Sequence, residues 1–407
     1  MPDTTHLNPR DNLTIGGVPA QQVVAPRSED EFVEIIREVS SSGAALVPVG
    51  GGTALYHGNP LSNPRWIAVR TGEFTGMTEF SPDDMVITCR AGTTLESLSS
   101  VLARSKQFLP FDPPNPDKAT MGGIVATNAH GLWRPAFGIP RDRLLGLRAI
   151  MADGSVVRAG GKVVKNVAGY DLCKMFSGSW GTIGLITEVT FKTSPLPQER
   201  MMLHFTGANP LLLARSALSI HVKKLQPTYC AMTLGENPDL TIGIMGSKEQ
   251  IACQADRITS LMRSEGLKFS DHTLSEADIR GYVSNSDYPI LSRLIVKPTD
   301  TPALVDELMN LGPLAPRRLL VLPQVAIVDA AFELPDNVSR TSMLVERIRE
   351  SVPASGHTIF ALVPEQHRSA FGDVWGATRA DFHLHQSLKR TLDPHGLFSP
   401  GRFIGGL

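Results

Sequence analysis

The sequence predicts an α+β protein in which a two-part N-terminal domain precedes a smaller α/β domain and a short C-terminal return. Three observations predict it. With 407 residues the chain exceeds what one hydrophobic core usually serves. Strand-like and helix-like segments alternate from the start, and an Asp153-Gly154 turn between apolar runs adds an antiparallel signature. Pro195 and Pro197 then interrupt the pattern and mark a boundary. The expected division is 1–197 (parts 1–72 and 73–197), 198–375, and a segment 376–407 that rejoins the first domain.

The elements follow in order. Residues 22–25 read as a short strand, and Ser28 with Glu31 makes a capping box ahead of Phe32, Ile35 and Ile36. That helix should end at Ser42-Gly43. Residues 45–49 form a short apolar strand running into Gly50-Gly51-Gly52-Thr53, and 66–70 another. In the second part, 75–80 and 85–90 are strands, and Thr93 with Glu96 should cap a helix carrying Leu98, Val101 and Leu102. Residues 110–131 show little helical or strand periodicity. Strands resume at 147–151, 155–158 and 183–193. Beyond the prolines, 293–296 and 357–363 read as strands and 303–311 and 341–350 as helices, a ferredoxin-like arrangement; 382–392 has a helical pattern.

Composition narrows the function classes. Lys and Arg total 39 against 40 Asp and Glu, spread along the chain with a net charge of −1, so no electrostatic footprint for nucleic acid exists. The first ten residues hold no apolar core of a signal peptide, and the uncharged stretch 41–64 is broken by Gly and Pro. A cytoplasmic protein without an integral membrane segment is expected, able to sit at the inner membrane only through partners. Cys89, Cys173, Cys230 and Cys253 form no C-x-x-C pair, so they should be buried thiols that hold neither an iron–sulfur cluster nor zinc. Redox chemistry would require an organic cofactor. The 36 glycines and 30 prolines exceed average usage, and their positions matter more than their number.

Three segments concentrate them. Gly50-Gly51-Gly52-Thr53 follows a buried strand and leaves backbone N–H groups able to converge on an anion, though by itself it also reads as a tight turn. Residues 113–131 are small residues and prolines with almost nothing to fill a core: Pro113, Ala119, Thr120, Met121, Gly122, Gly123, Asn128 and Gly131 offer a rigid backbone surface for a flat ligand. The third runs from Lys165 and Tyr170 through Gly181, Gly184 and Ile186 into a strand. Neither the Rossmann fingerprint nor a Walker loop is present.

In order and spacing these segments resemble the FAD-binding domain of the vanillyl-alcohol oxidase and p-cresol methylhydroxylase (PCMH) superfamily, over residues 15–197 and again at the closing Leu392-Asp393-Pro394-His395-Gly396-Leu397-Phe398-Ser399-Pro400-Gly401-Arg402-Phe403. The run KNVAGYDLCKMFSGSWGTIGLITEV is most similar to the glycolate oxidase and D-lactate dehydrogenase branch. The resemblance implies a PCMH-type fold with a ferredoxin-like cap. It also implies FAD held by Gly50, Gly51, Gly52, Thr53 and Ala54 at the pyrophosphate, by 119–123 with Asn128 at pyrophosphate and ribityl, and by the Ile186 backbone at the adenine end. Thr53 and Ala54 stand where some relatives have a flavin-linking His or Cys, so noncovalent FAD is expected; Tyr56 and His57 lie nearby.

Two departures bear on activity. The G-H-x-G-D-G-N and E-H-G metal motifs of substrate-oxidising relatives are absent from the sequence, and His383-x-His385 sits in a helical context where the two rings diverge, so no metal site is expected. The usual closing L-N-P-G reads Phe398-Ser399-Pro400-Gly401. The resemblance therefore implies an FAD-dependent oxidoreductase acting on CH–OH groups as the FAD-binding subunit of a glycolate-oxidase-type complex. Its partners would be a second FAD-containing subunit and an iron–sulfur subunit, and its substrate a small 2-hydroxy acid, glycolate going to glyoxylate. The alternative is a stand-alone FAD oxidase or dehydrogenase of an alcohol or hydroxy acid, with Tyr170 or Lys165 as candidate catalytic groups.

Overall fold

Ala45–Val49 and Trp66–Arg70 are apolar along nearly their whole length, the pattern of strands covered on both faces. In the computed structural model, which describes residues 13–161, 171–284 and 287–407, they pair in parallel. Labelling in chain order, β1 (Gln22–Val24), α1 (Glu29–Ser42), β2 (Ala45–Val49) and β3 (Trp66–Arg70) form a sheet of order β1-β3-β2. One face packs Leu46 and Val69 on Phe32, Ile36 and Val39 of α1. The other packs Val47, Val49 and a fully buried Trp66 around Ile15. Ser28 Oγ accepts from Glu31 N at 3.3 Å, and the Glu31 carboxylate takes the Arg27 amide at 2.8 Å, so the capping reaches one residue further back than a simple box. Gly43, at φ 70°, ends α1 in the left-handed conformation that glycine adopts without cost.

The described residues divide into two units. The first takes the chain up to His130, then Ile139–Leu196 and Ala377–Leu407; the second takes Gly131–Gly138 and Pro197–Gly376. The first unit holds a second sheet built from β4 (Met77–Ser81), β5 (Val86–Arg90), β6 (Leu144–Ile150), β7 (Val156–Gly160) and β8 (Leu185–Lys192), antiparallel in the order β7-β6-β8-β5-β4. Its core includes Ile87, Leu147, Val189 and Phe191, covered by α2 (Leu95–Arg104) and α3 (Met121–Thr127) through Leu98, Leu102, Met121 and Ile124.

Two expectations need correction here. The α2 cap is Thr94, whose side chain accepts from Ser97 N; Thr93 instead takes the Gly76 amide at 2.9 Å. And 110–131 is not aperiodic throughout, because α3 lies within it, capped by Thr120 and closed by Asn128 at φ 50°. Two glycines in seven residues lower helix propensity and remove the apolar rhythm that would have disclosed it.

The C-terminal helix Phe382–Leu392 belongs to the first unit, and the tail beyond it extends the small parallel sheet. Leu46 N donates to Leu397 O at 2.8 Å and Ser399 N to Leu46 O at 2.9 Å, so Phe398 runs parallel beside β2.

The second unit is a duplication. β9 (Glu199–Thr206), α4 (Pro210–Val222), β10 (Tyr229–Leu234), β11 (Asp239–Gly246), α5 (Lys248–Ser264) and β12 (Lys268–Phe269) make one βαββαβ set of order β12-β9-β11-β10. β13 (Ile290–Ile295), α6 (Thr301–Met309), β14 (Arg318–Leu322), β15 (Ile327–Phe332), α7 (Val338–Glu350) and β16 (His357–Leu362) make a second, of order β14-β15-β13-β16. Each is the split arrangement of the ferredoxin-like motif. An antiparallel ladder of Met232 with Val321, Thr233 with Leu320 and Leu234 with Leu319 joins them edge to edge into eight strands. Sequence reading located parts of the second set only. Among the cysteines, Cys253 is exposed, contrary to expectation, while burial pushes the Cys89 and Cys230 thiols well up and Cys173 up to about 11.

Phe398 is fully buried between sheet and helix. Phe398→Ala should cost about 3–5 kcal/mol, read as a drop in the urea midpoint of the first unit's unfolding, whereas exposed Leu384→Ala should leave it within about 0.5 kcal/mol.

Candidate functional site

The three glycine-rich segments meet in the first unit. Gly50 and Gly51 leave β2 and run directly against the segment holding Lys118 and Thr120. A methyl group on Gly50 would lie 2.1 Å from Thr120 Oγ1, and one on Gly51 1.7 Å from the Lys118 backbone oxygen. Only residues without Cβ permit this approach. The third segment closes on the second: Gly178 N donates to Val125 O at 3.0 Å and Trp180 N to Ala126 O at 2.8 Å. It also closes on the first, since a methyl group on Gly181 would touch the Pro48 ring at 3.4 Å.

The strongest chemical feature is a run of donors. Among the described residues, no acceptor takes the amide hydrogens of Gly50, Gly51, Gly52, Thr53 or Ala54. Gly51 is exposed and the other four are partly so. Five consecutive unengaged amides on a loop that carries no acidic side chain form an anion-binding backbone surface, and they fit the diphosphate of a dinucleotide.

The remaining expected residues divide by how they could reach a ligand. Ala119, Met121 and Ile186 bury their side chains in the core of the antiparallel sheet, which leaves only their backbone for contact. Thr120 is occupied as the α3 cap, accepting from Gly123 N at 3.4 Å. Asn128 accepts the Arg141 amide on Oδ1 at 3.2 Å. Pro113 is buried. Gly122 lets α3 press onto Ala91, where a methyl group would come within 2.7 Å of the alanine Cβ. Gly184 serves packing, with Ile150 O and the Phe176 ring at 3.0 and 3.1 Å from such a methyl. Gly131 falls in the second unit. Lys165 and Tyr170 lie outside the described residues. His383 and His385 are on a helix, as their context implies.

Sequence reading did not assign roles to three charged residues of the C-terminal return. The Arg402 guanidinium is buried and donates to the backbone oxygens of Leu55, His57 and Asn59, the last at 2.9 Å. Lys389 Nζ donates to Asp393 Oδ2 at 2.6 Å, to Thr182 O at 2.6 Å and to Phe398 O at 2.8 Å. Asp393 in turn accepts from the amides of Leu397 and Phe398, each at 2.8 Å. Burial holds the Lys389 ammonium below its ordinary pKa of 10.5, and the Asp393 carboxylate opposes that shift. A lone arginine or lysine near a chain end carries no local signal of such a role; the family-like closing motif was the one available pointer.

Residues 19–160 match a family described as an FAD binding domain. The chain is 28% identical to the glycolate oxidase subunit GlcE of Escherichia coli (strain K12) over 390 residues, 92% of this chain and 97% of that protein. It is 32% identical over 206 residues to the glycolate oxidase subunit GlcD of Bacillus subtilis (strain 168), covering 50% of this chain and 43% of that one. It is 34% identical over 182 residues to a D-lactate dehydrogenase of Archaeoglobus fulgidus, covering 44% and 40%. The chain thus spans less than half the length of the last two. A solved structure of alkyldihydroxyacetonephosphate synthase shares the fold at a TM-score of 0.68 and 16% identity, over 94% of this chain and 77% of that one.

Two outcomes test the site. Gly51→Ala should destabilise the first unit by about 1–3 kcal/mol, because backbone must move to admit the methyl group; thermal unfolding measures it, with Gly72→Ala, whose methyl meets nothing within 4 Å and whose backbone is not left-handed, as the milder comparison. The second concerns pH. The folded Lys389 pKa lies below 10.5, so in the interval between them the unfolded chain binds the extra proton and stability rises with pH. Urea unfolding of wild type and Lys389→Met from about pH 8 up to 10.5 should show the difference moving in favour of wild type as pH rises.

Proposed function

We propose that the chain carries an FAD-binding domain of the PCMH type and is the FAD-binding subunit of a glycolate-oxidase-type assembly. The observation that carries the reading is the end-to-end likeness to the E. coli glycolate oxidase subunit, 92% of one chain against 97% of the other, where the B. subtilis GlcD and A. fulgidus D-lactate dehydrogenase match half of this chain or less. In the assembly a 2-hydroxy acid, glycolate, is oxidised to glyoxylate. A second FAD-containing subunit and an iron–sulfur subunit complete the electron path.

The residues divide the work. The amides of 50–54 bind the diphosphate, and the apposed 118–123 backbone fixes the cofactor's course. Gly178 to Gly181 close the third side. FAD, when bound, supplies the two-electron acceptor for a carbon bearing a hydroxyl group. The protein's share is position, exclusion of water and field. Thr53 and Ala54 offer neither imidazole nor thiol, which supports noncovalent attachment; the imidazole of His57, a few residues on, is stacked on Tyr56 with centroids 4.5 Å apart.

A second reading, a self-sufficient FAD dehydrogenase of a hydroxy acid, draws on the 34% identity to the D-lactate dehydrogenase across the FAD half. Tyr170 or Lys165 would then act at the substrate. One experiment separates the readings. Tagged protein purified from a flavin-replete host should be yellow, release its flavin on acid precipitation, and retain a flavoprotein and an iron–sulfur protein. Alone it should not reduce a dye with glycolate. Full turnover by the isolated chain would favour the second reading, and loss of that turnover in Tyr170→Phe would identify the group responsible.

A further inference from the structure

We propose that Tyr56, His57 and Trp180 form an aromatic shelf that stacks the isoalloxazine ring of FAD; this rests on the flavin reading above and assigns the ring contact within it. The rings come from two segments of the first unit. Tyr56 and His57 are stacked at 4.5 Å and 30°, and the His57 ring meets Trp180 at 5.6 Å. Tyr56 is nevertheless 46% exposed, an unusual position for a large aromatic side chain in a rigid loop.

Both arms of the shelf are held by backbone. Arg402, 8% exposed, uses its guanidinium on the carbonyls of Leu55, His57 and Asn59, while Asn59 N donates back to Arg402 O at 3.0 Å. A buried cation spent on three carbonyls of a surface loop fixes where Tyr56 and His57 stand. Trp180 adopts φ 55°, a left-handed conformation that costs a bulky residue about 1–3 kcal/mol and persists at functional sites. Its amide is tied to Ala126 O, and Gly178 and Gly181 beside it are left-handed as well, at φ 81° and 67°.

Position supplies the ligand. Tyr56 follows the last unengaged amide, that of Ala54, by two residues, so the shelf begins within about 7 Å of chain from the diphosphate donors. A diphosphate surface beside a ring surface is the outline of a dinucleotide. Indole and phenol are electron-rich, and the oxidised isoalloxazine is electron-poor and larger than adenine, so offset stacking favours it.

The test uses full-length protein stripped of flavin, with FAD, FMN and ADP as probes. FAD and FMN should quench a share of the tryptophan emission that is missing from Trp180→Phe, while ADP should not. Trp180→Ala should weaken FAD binding by about tenfold and shift the bound flavin's visible band, with His57→Ala giving a smaller change and serving where the tryptophan variant does not fold. Equal quenching in wild type and Trp180→Phe, or quenching by ADP without FMN, overturns the shelf while FAD retention leaves the flavin reading standing. Failure to retain FAD at all overturns both.

Discussion

The Lys389–Asp393 pair governs how the first unit closes. The Asp393 side chain is fully buried and that of Lys389 is 12% exposed, so the pair is desolvated and its attraction alone would not repay that cost. The added hydrogen bonds change the balance. Lys389 has three acceptors and Asp393 three donors, drawn from the C-terminal helix, the closing tail and Thr182. Three of those contacts, to Phe398 O and from the Leu397 and Phe398 amides, require the tail to be in place. The tail then lies along β2, and β2 ends in the glycine loop. One buried ion pair therefore couples the last residues of the chain to two of the three glycine-rich segments.

At that site close approach is achieved by subtraction. Gly50 and Gly51 abut Lys118 and Thr120 at distances no side chain would allow, and Gly122 does the same against Ala91. Backbone pressed on backbone leaves few rotamers to freeze and many polar groups in fixed directions. The cost is conformational: Asn128, Trp180 and Ser399 are non-glycine residues held at positive φ, all in or beside the three segments and the closing tail. Tertiary bonds over-determine them, as when Ser399 N donates to Leu46 O.

What was legible in the sequence was local. The Ser28 cap, the apolar strands 45–49 and 66–70, and the helix 382–392 each depend on residues within a few positions of one another, and the structure has them at those positions. The glycine segments were legible because their lack of side chains is itself a pattern. Thr93 and Thr94 could not be told apart, since either can cap and the choice is made by Gly76, a neighbour in space. The duplication in the second unit was hidden because its strands share a topology and not a residue pattern. Arg402 illustrates the limit most sharply: its partners are more than 340 positions away in the chain.

Recognition through backbone also bears on how much substitution such a surface tolerates. An amide donates whatever side chain its residue bears, so a diphosphate surface built from 50–54 tolerates substitution around it as long as the glycines and their close contacts stay. The constraint relaxes beyond the diphosphate. Rings are contacted by side chains, and there the proposed shelf of Tyr56, His57 and Trp180 depends on which side chain each position bears. A change at the shelf would act through the ring contact itself, whereas a change at Gly50 or Gly51 would act by forcing apart backbone that now lies in close approach.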